Sequence, residues 1–500
     1  MALALRSLRK LIAAACAGLI GAGLFAAGAA AQPRTDAASP FLFAEDVLAS
    51  SAEHFPSILE SLAQLRAAEG KALSAVGAFD LVFSVDGFDR VDGFWDGRIV
   101  DAQARQPLGP LGATVFGGYR ISEGFFPIYE DEYFTNSGGE VRIGALFSVL
   151  RDRAIDDRRF GVADTRLAVE QADLEVLLTQ LGVQHKALTA YWRWVASLRQ
   201  AQVYERLLRI AEEREAGLEE QVRRGARAEI FLTENRQNIL RRQRLATEAR
   251  RDAMQAANAL SFYYRDVAGA PLTPKDAQLP PSSAVEPLAA LMIDEDPPVS
   301  RIIAMRPELQ SLRVGLERAR RRIELNRNDL KPQLDLRAEV DADLGQIAEG
   351  GESRDSTDTK IGLTFSVPLQ RRGAKGRVRQ AEAEREALRQ QRRRIEDQIA
   401  VELTNILLNL EVSERLTVIA DDEVAQALAM QDAERKRFQS GASDFFLLNI
   451  REETAADARI RYFIAELQTR IARANYDAAT VNSERLMIKD PTAPGRAGAR

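Results

Sequence analysis

Five charged side chains recur at every second position of one short segment, residues 333–344, and apolar residues stand between them. Successive side chains of an extended strand point to opposite faces, so this alternation predicts one charged face and one apolar face. The charged face would keep a passage wet, while the apolar face could contact lipid. A half-buried strand of a soluble sandwich gives the same period, so alternation alone is not specific for membranes. The charged residues are Asp335, Arg337, Glu339, Asp341 and Asp343.

Side chains for nucleophilic or metal chemistry are scarce in this sequence. It holds one cysteine, Cys16, and two histidines, His54 and His185, neither of which has a catalytic partner nearby in sequence. Catalytic triads, zinc-ligand spacings, phosphate-binding loops and dinucleotide fingerprints do not occur. We therefore expect no enzyme activity, no cofactor and no metal. The net charge of −5 comes from interspersed acids and bases, which argues against a nucleic-acid partner.

The first 31 residues have the layout of a secretory signal peptide. Arg6, Arg9 and Lys10 precede an apolar run that contains Cys16 and ends on three alanines before Gln32. We expect cleavage near that residue, which would leave the mature chain without cysteine. An uncleaved anchor helix is the alternative. No later stretch of about 18 apolar residues occurs, so any membrane contact after the signal must be made by strands.

The chain contains an internal repeat. Segments 143–149 and 361–367 share the pattern Ile-Gly-x-x-Phe-Ser-Val at a spacing of 218 residues, and Gly225 and Gly441 lie 216 residues apart. We assign the first repeat to residues 32–270 and the second to residues 299–484. A Pro-rich linker at 271–298 separates them, and a disordered tail is expected at 485–500.

Each repeat is predicted to hold a helix, two strands and two long helices. The predicted strands are 79–88, 141–149, 333–344 and 360–367, and the long helical stretches are 156–262 and 376–483. Narrow apolar stripes flanked by arginine and glutamate indicate coiled-coil packing of these helices. Two hairpins cannot close a barrel, and an open strand edge in lipid leaves peptide groups unpaired. Several chains would therefore have to share one barrel.

Several motifs, taken in order, resemble the TolC family of outer-membrane efflux ducts. Residues 45–47 and 54–56 resemble its opening helix, and residues 304–309 (Ala-Met-Arg-Pro-Glu-Leu) the start of its second repeat. Residues 365–369 (Phe-Ser-Val-Pro-Leu) resemble the exit from its fourth strand, and residues 438–441 (Phe-Gln-Ser-Gly) its periplasmic tip turn. The ordered set is more specific than any one motif.

The resemblance implies a mainly α fold with a transmembrane β part. In a homotrimer, three sets of four strands would form one 12-stranded β-barrel in the outer-membrane lipid, above an α-helical tunnel in the periplasm. The tip would dock a periplasmic adaptor joined to an inner-membrane pump, in a tripartite efflux or type I secretion system. Conduction would be passive. The alternative is a periplasmic coiled-coil adaptor or structural protein without membrane strands.

Two features depart from the family pattern. Where family members carry a constricting aspartate after the second tip glycine, this chain has an apolar stretch, so we expect a constriction that closes by excluding water. Residues 94–134 add many aromatic side chains, predicted to form either an outer loop or an aromatic girdle at the lipid interface. Candidate constriction residues are Asp444, Phe446, Leu447, Ile450 and Glu234, and candidate turn or adaptor contacts are Gly225, Ala226, Gly441 and Ala442.

Overall fold

The computed structural model describes residues 40–288, 299–347 and 357–489. The expected signal peptide and ten residues of the linker, 289–298, lie outside the described residues. So does the tail from residue 490 onward. The disordered tail was expected to start at residue 485. That start is wrong, because Leu486 is fully buried and Arg485 pairs with Asp477 at 3.1 Å. The described residues from Phe41 onward form one compact unit.

Helices form most of this unit, and two of them are very long. Proline begins α2 and α6, as expected for a residue that lacks the N–H which a first turn leaves unpaired. Helices α3 and α7 have 67 and 68 residues, so each is about 100 Å long at 1.5 Å per residue. The helices are α1 (Ala44–His54), α2 (Pro56–Val76), α3 (Asp157–Arg223), α4 (Ile230–Ser261), α5 (Val299–Met305), α6 (Pro307–Asn328), α7 (Arg372–Gln439) and α8 (Phe445–Ala479).

The helices pack as two hairpins, α3 with α4 and α7 with α8, which meet along α3 and α8. In the first hairpin, Tyr191 and Trp194 of α3 are buried against α1 and Leu260 of α4. In the second, Leu403 of α7 is buried with Tyr476 of α8. Burying such side chains removes apolar area from water and is the main source of hairpin stability.

The strands form one antiparallel sheet in chain order, and it has six members rather than the expected four. Two strands, β2 and β3, lie within the aromatic stretch 94–134 and separate the two strands predicted to pair as a hairpin. The expectation of two strands in the first repeat was therefore wrong, and residues 94–134 are not one outer loop. An aromatic girdle at the lipid interface stays a prediction. The strands are β1 (Val82–Asp89), β2 (Arg98–Pro107), β3 (Thr114–Glu123), β4 (Glu140–Ser148), β5 (Gln333–Asp343) and β6 (Thr357–Ser366).

A close contact across β3 and β4 shows why glycines lie inside these strands. Phe116 of β3 pairs with Gly144 of β4, and a Cβ added to that glycine would lie 2.5 Å from the Phe116 ring. Glycine therefore makes room for an aromatic ring on the sheet, although glycine-rich sequence usually indicates a loop.

Candidate functional site

One face of the sheet carries charged side chains that pair across the strands. Asp101 of β2 accepts hydrogen bonds from Arg120 of β3, at 3.1 Å, and from Arg142 of β4, at 2.6 Å. Arg120 also lies 3.6 Å from the carboxylate of Glu140. The sequence did not single out these residues, because their partners come from three strands and only the register brings them together.

The five charged residues predicted on β5 all lie on this same face. Arg337 forms an ion pair with Glu339 at 2.7 Å, and Lys360 of β6 forms one with Asp341 at 3.1 Å. Asp343 accepts the backbone N–H of Asn136 at 3.0 Å. Asp335 accepts a hydrogen bond from the hydroxyl of Ser148 at 3.2 Å. The alternation thus placed these side chains together on one surface.

The charged face is acidic on balance. Eight acidic and five basic side chains give it a formal charge of −3 for each chain. The acids are Asp86, Asp101, Glu140, Asp335, Glu339, Asp341, Asp343 and Asp358, and the bases are Arg105, Arg120, Arg142, Arg337 and Lys360. Within the described ranges, these residues form no cluster of three or more potential metal ligands.

The opposite face of the sheet is apolar and exposed in all six strands. Exposure reaches 68% at Phe83 of β1, 66% at Ile143 of β4 and 70% at Leu363 of β6. The two unexpected strands continue the surface with Val100 and Tyr119, both exposed. A contiguous apolar patch of this kind marks a surface that meets lipid or protein. Charged residues border it at the strand ends that lie away from the helices, namely Asp89, Arg98 and Glu123.

The two edges of the sheet are open in the described chain. Every residue of β1 and every residue of β6 is exposed, and neither strand pairs with a second neighbour in these ranges. An open edge presents a row of unpaired N–H and C=O groups, which is a template for another strand. Among the described helices, none is long and apolar enough to cross a bilayer.

Helix α7 also presents an apolar surface that no other described part of the chain covers. Its buried side faces α8, whereas another side carries exposed aliphatic residues at intervals of three, four and seven positions. That spacing places the residues in one stripe along the helix, which is the pattern of a helix that packs against a neighbour. The stripe consists of Val401, Leu408, Val412, Leu416 and Ile419.

The predicted tip residues form two turns of the same geometry. Gly225 has φ +72° and Gly441 has φ +75°, the left-handed region that glycine adopts without strain. In the first turn, the N–H of Ala226 donates to Gln221 O at 2.9 Å, and in the second the N–H of Ala442 donates to Arg437 O at 2.8 Å. These are Schellman caps, which end one helix and reverse the chain into the next. All four predicted turn residues are exposed.

Aromatic rings and an arginine join the two turns. Phe445 of α8 lies 6.4 Å from Phe231 of α4 and 6.3 Å from Phe438 of α7, measured between ring centroids. The Arg227 guanidinium lies 5.4 Å from the Phe231 ring and 5.0 Å from the Phe438 ring. Each such contact contributes roughly 0.5–1 kcal/mol at an exposed site. The tips of the two hairpins are therefore attached to each other.

The structure places the five predicted constriction residues in three different settings. Phe446 is 61% exposed and Ile450 is 39% exposed, and they lie one turn apart on α8, away from its buried side. Asp444 instead caps α8, because its Oδ1 accepts the N–H of Leu447 at 2.7 Å. Leu447 and Glu234 are half-buried.

A buried ion pair below the tip was missed by sequence reasoning. Arg242 of α4 and Glu452 of α8 lie 3.2 Å apart with essentially no exposed side-chain surface, and Arg214 of α3 pairs with the same carboxylate. Burial lowers the pKa of Arg242, and the charge of Glu452 opposes that effect. Charges on such helices usually face solvent. These residues differ from the other charges of the long helices only in that α3, α4 and α8 bring them together.

Comparison with known proteins supports the resemblance that the motifs indicated. Residues 299–480 match the family model described as "Outer membrane efflux protein", which confirms the resemblance over the second repeat. No curated protein matches the sequence significantly.

Solved structures of outer-membrane channels share this fold. The Campylobacter jejuni CmeC outer membrane channel has a TM-score of 0.61 at 12% identity, covering 87% of this chain and 85% of its own. The Vibrio cholerae outer membrane protein VceC has a TM-score of 0.57 at 13% identity, covering 87% and 95%. The open state of the Neisseria gonorrhoeae MtrE outer membrane channel has 0.58 at 16% identity, covering 87% and 88%.

Proposed function

We propose that this chain is a subunit of an outer-membrane efflux channel that conducts its cargo passively. The observation that carries the proposal is the two-faced sheet, with an exposed apolar face on all six strands and a charged face behind it. Lipid would contact the first face, and water would fill the space bounded by the second. The family match over residues 299–480 and the shared fold of CmeC, VceC and MtrE support the same function.

The open edges support a closed ring of identical copies, for which we propose a homotrimer. In a six-stranded antiparallel meander the first and last strands run in opposite directions, so β6 of one copy can pair antiparallel with β1 of the next. Such a head-to-tail interface closes into a ring. The apolar stripe on α7 would be covered by helices of a neighbouring copy below the sheet.

The helical hairpins would form a periplasmic tunnel that ends at the two glycine turns. Exposed Gly225, Ala226, Gly441 and Ala442 would contact a periplasmic adaptor, which an inner-membrane pump supplies with cargo. Side chains near the turns would restrict the bore at rest. Three copies of the exposed Phe446 and Ile450 would form an apolar ring, and such a ring blocks ions by excluding water.

Fractionation of the cell envelope tests the proposal directly. The expected result is an outer-membrane protein that needs detergent for extraction and that migrates, unheated, at the size of three chains plus micelle. A protein released into buffer from the periplasm would refute the membrane assignment and would favour the coiled-coil adaptor alternative. A detergent-dependent monomer would refute the ring.

A further inference from the structure

The sheet has six strands, whereas the resemblance implies four for each chain. Strands β2 and β3 lie between β1 and β4, and every neighbouring pair from β1 to β6 is bonded in continuous register. We propose that the sheets of three copies form an 18-stranded barrel, and that the β2–β3 hairpin widens its bore to admit bulkier cargo. This inference rests on the proposed function.

The inserted hairpin has the properties of barrel wall on both faces. Its apolar face continues the exposed patch with Val100 of β2 and with Val115, Tyr119 and Ile121 of β3. Its other face carries Asp101 and Arg120, which pair with each other and with residues of β4. An outer loop would have no reason to carry an apolar face that is continuous with the apolar faces of β1 and β4. The hairpin therefore belongs to the membrane wall.

The additional strands change the bore by a calculable amount. Strands lie about 4.8 Å apart, and a tilt of about 40° makes each strand occupy about 6.3 Å of the circumference. Twelve strands then give a diameter of about 24 Å between opposite backbones, and eighteen strands give about 36 Å. Because the area scales with the square of the diameter, the cross-section of the 18-stranded barrel would be about twice that of the 12-stranded one. Barrels of 16 to 18 strands are known to leave an aqueous channel.

Disulfide trapping in the assembled full-length protein tests the strand count. Val85 of β1 lies opposite Ala102 of β2, and Val115 of β3 lies opposite Ala145 of β4. Cysteines at facing strand positions are within disulfide range. In purified, detergent-extracted trimers we expect cross-links for Val85→Cys with Ala102→Cys and for Val115→Cys with Ala145→Cys. Val85→Cys with Ala145→Cys should give none, because three strand spacings of about 4.8 Å separate them.

One pair of residues lies on neighbouring strands in both the 12-stranded and the 18-stranded barrel. That pair distinguishes failure of this inference from failure of the proposed function. Ala338 of β5 faces Ile361 of β6, and that pair should cross-link in either barrel. If it does so while Val85 links to Ala145 and not to Ala102, the hairpin lies outside the wall and the 18-stranded barrel is overturned. The channel assignment then stands. If the common pair also fails, the sheet is wrong and the proposed function fails with it.

A deletion tests the width. The N–H of Gly97 donates to Phe125 O at 3.0 Å, so removing residues 98–123 joins two ends that already lie side by side. The shortened chain would supply four strands. Polyethylene glycols applied from the extracellular side should enter the complete barrel up to a radius at least about one and a half times that admitted by the shortened one, because inward side chains narrow both bores by the same amount. Equal exclusion limits in both barrels would overturn the inference.

Discussion

Replacing Glu452 by glutamine removes one negative charge from the buried ion pair below the tip and changes the side-chain shape little. Arg242 would keep its hydrogen bond to Leu207 O, at 3.1 Å, and its longer contact with the Glu453 carboxylate, at 3.8 Å, but would lose the nearer and fully buried counter-charge. Arg214 would lose the same charged partner while keeping Asn449, whose Oδ1 it contacts at 2.8 Å. Glu452→Gln therefore leaves two arginines close together, with only the partly exposed carboxylate of Glu453 near one of them.

The cost follows from burial. Neither Arg242 nor Glu452 exposes more than 1% of its side chain, and breaking such a pair from one side costs about 3–5 kcal/mol. The exposed pair of Arg244 and Glu248, on the same helix as Arg242, supplies the matched control. Its side chains are 60% and 46% exposed, so Glu248→Gln should cost less than about 1 kcal/mol.

Native-state hydrogen exchange in detergent measures the difference, because the pair joins α4 to α8 and its loss should let these segments open locally. A loss of 3 kcal/mol makes the open state more than a hundred times more populated, since each 1.4 kcal/mol is a factor of ten. Amides flanking Arg242 and Glu452 should therefore exchange faster in Glu452→Gln by about that factor. If Glu452→Gln and Glu248→Gln exchange alike, the pair does not hold the two hairpins together.

Three further predictions concern the tip and the sheet. Gly225→Ala should destabilise its turn by about 1–2 kcal/mol, seen as faster exchange at tip amides, because φ is +72° while no atom lies within 4 Å of the added Cβ. Leu363→Arg, on the apolar face of β6, should lower the yield of heat-resistant trimers, since arginine in lipid costs up to about 2–4 kcal/mol. Phe446→Ser should raise single-channel conductance at rest by admitting water to the constriction.

Each of these predictions has a matched control. Gly217→Ala lies inside α3, where space is equally open and φ is not positive, so it should be neutral or stabilising by up to about 1 kcal/mol. Thr364→Arg lies on the charged face next to Leu363 and should leave trimer yield unchanged. Leu240→Ser removes an aliphatic side chain that is 67% exposed on α4 and should not alter conductance. Equal effects of variant and control would contradict the corresponding prediction.

Strong local patterns made much of the fold predictable. The strict alternation of residues 333–344 matches β5 to within one residue at its end, and the two helix breaks at Gly225 and Gly441 were visible as a repeat. Each of these signals depends on residues that are neighbours in sequence. Periodicity reports which face of an element is buried, and glycine reports a backbone that must turn.

Strands β2 and β3 could not be predicted in the same way. Their period of two is broken where Ile99 precedes Val100 and Val115 precedes Phe116, and Gly117 is followed by another glycine. Ile99 and Phe116 are buried on the charged face, whereas Val100 and Val115 lie on the exposed apolar face, so both faces carry apolar groups and the sequence loses its alternation. The pairing of Arg242 with Glu452 joins residues 210 apart, and no local pattern reports such a contact.

The two open edges of each chain make every incomplete ring costly in a membrane. In lipid, one copy would leave the peptide groups of β1 and β6 unpaired, and each such group costs several kcal/mol. Adding a second copy pairs two of the four edges but still leaves two exposed. Three separate copies would expose six edges, an open row of three copies would expose two, and only the closed ring would expose none. Every incomplete assembly therefore keeps two unpaired edges in the bilayer, and the membrane itself favours complete rings.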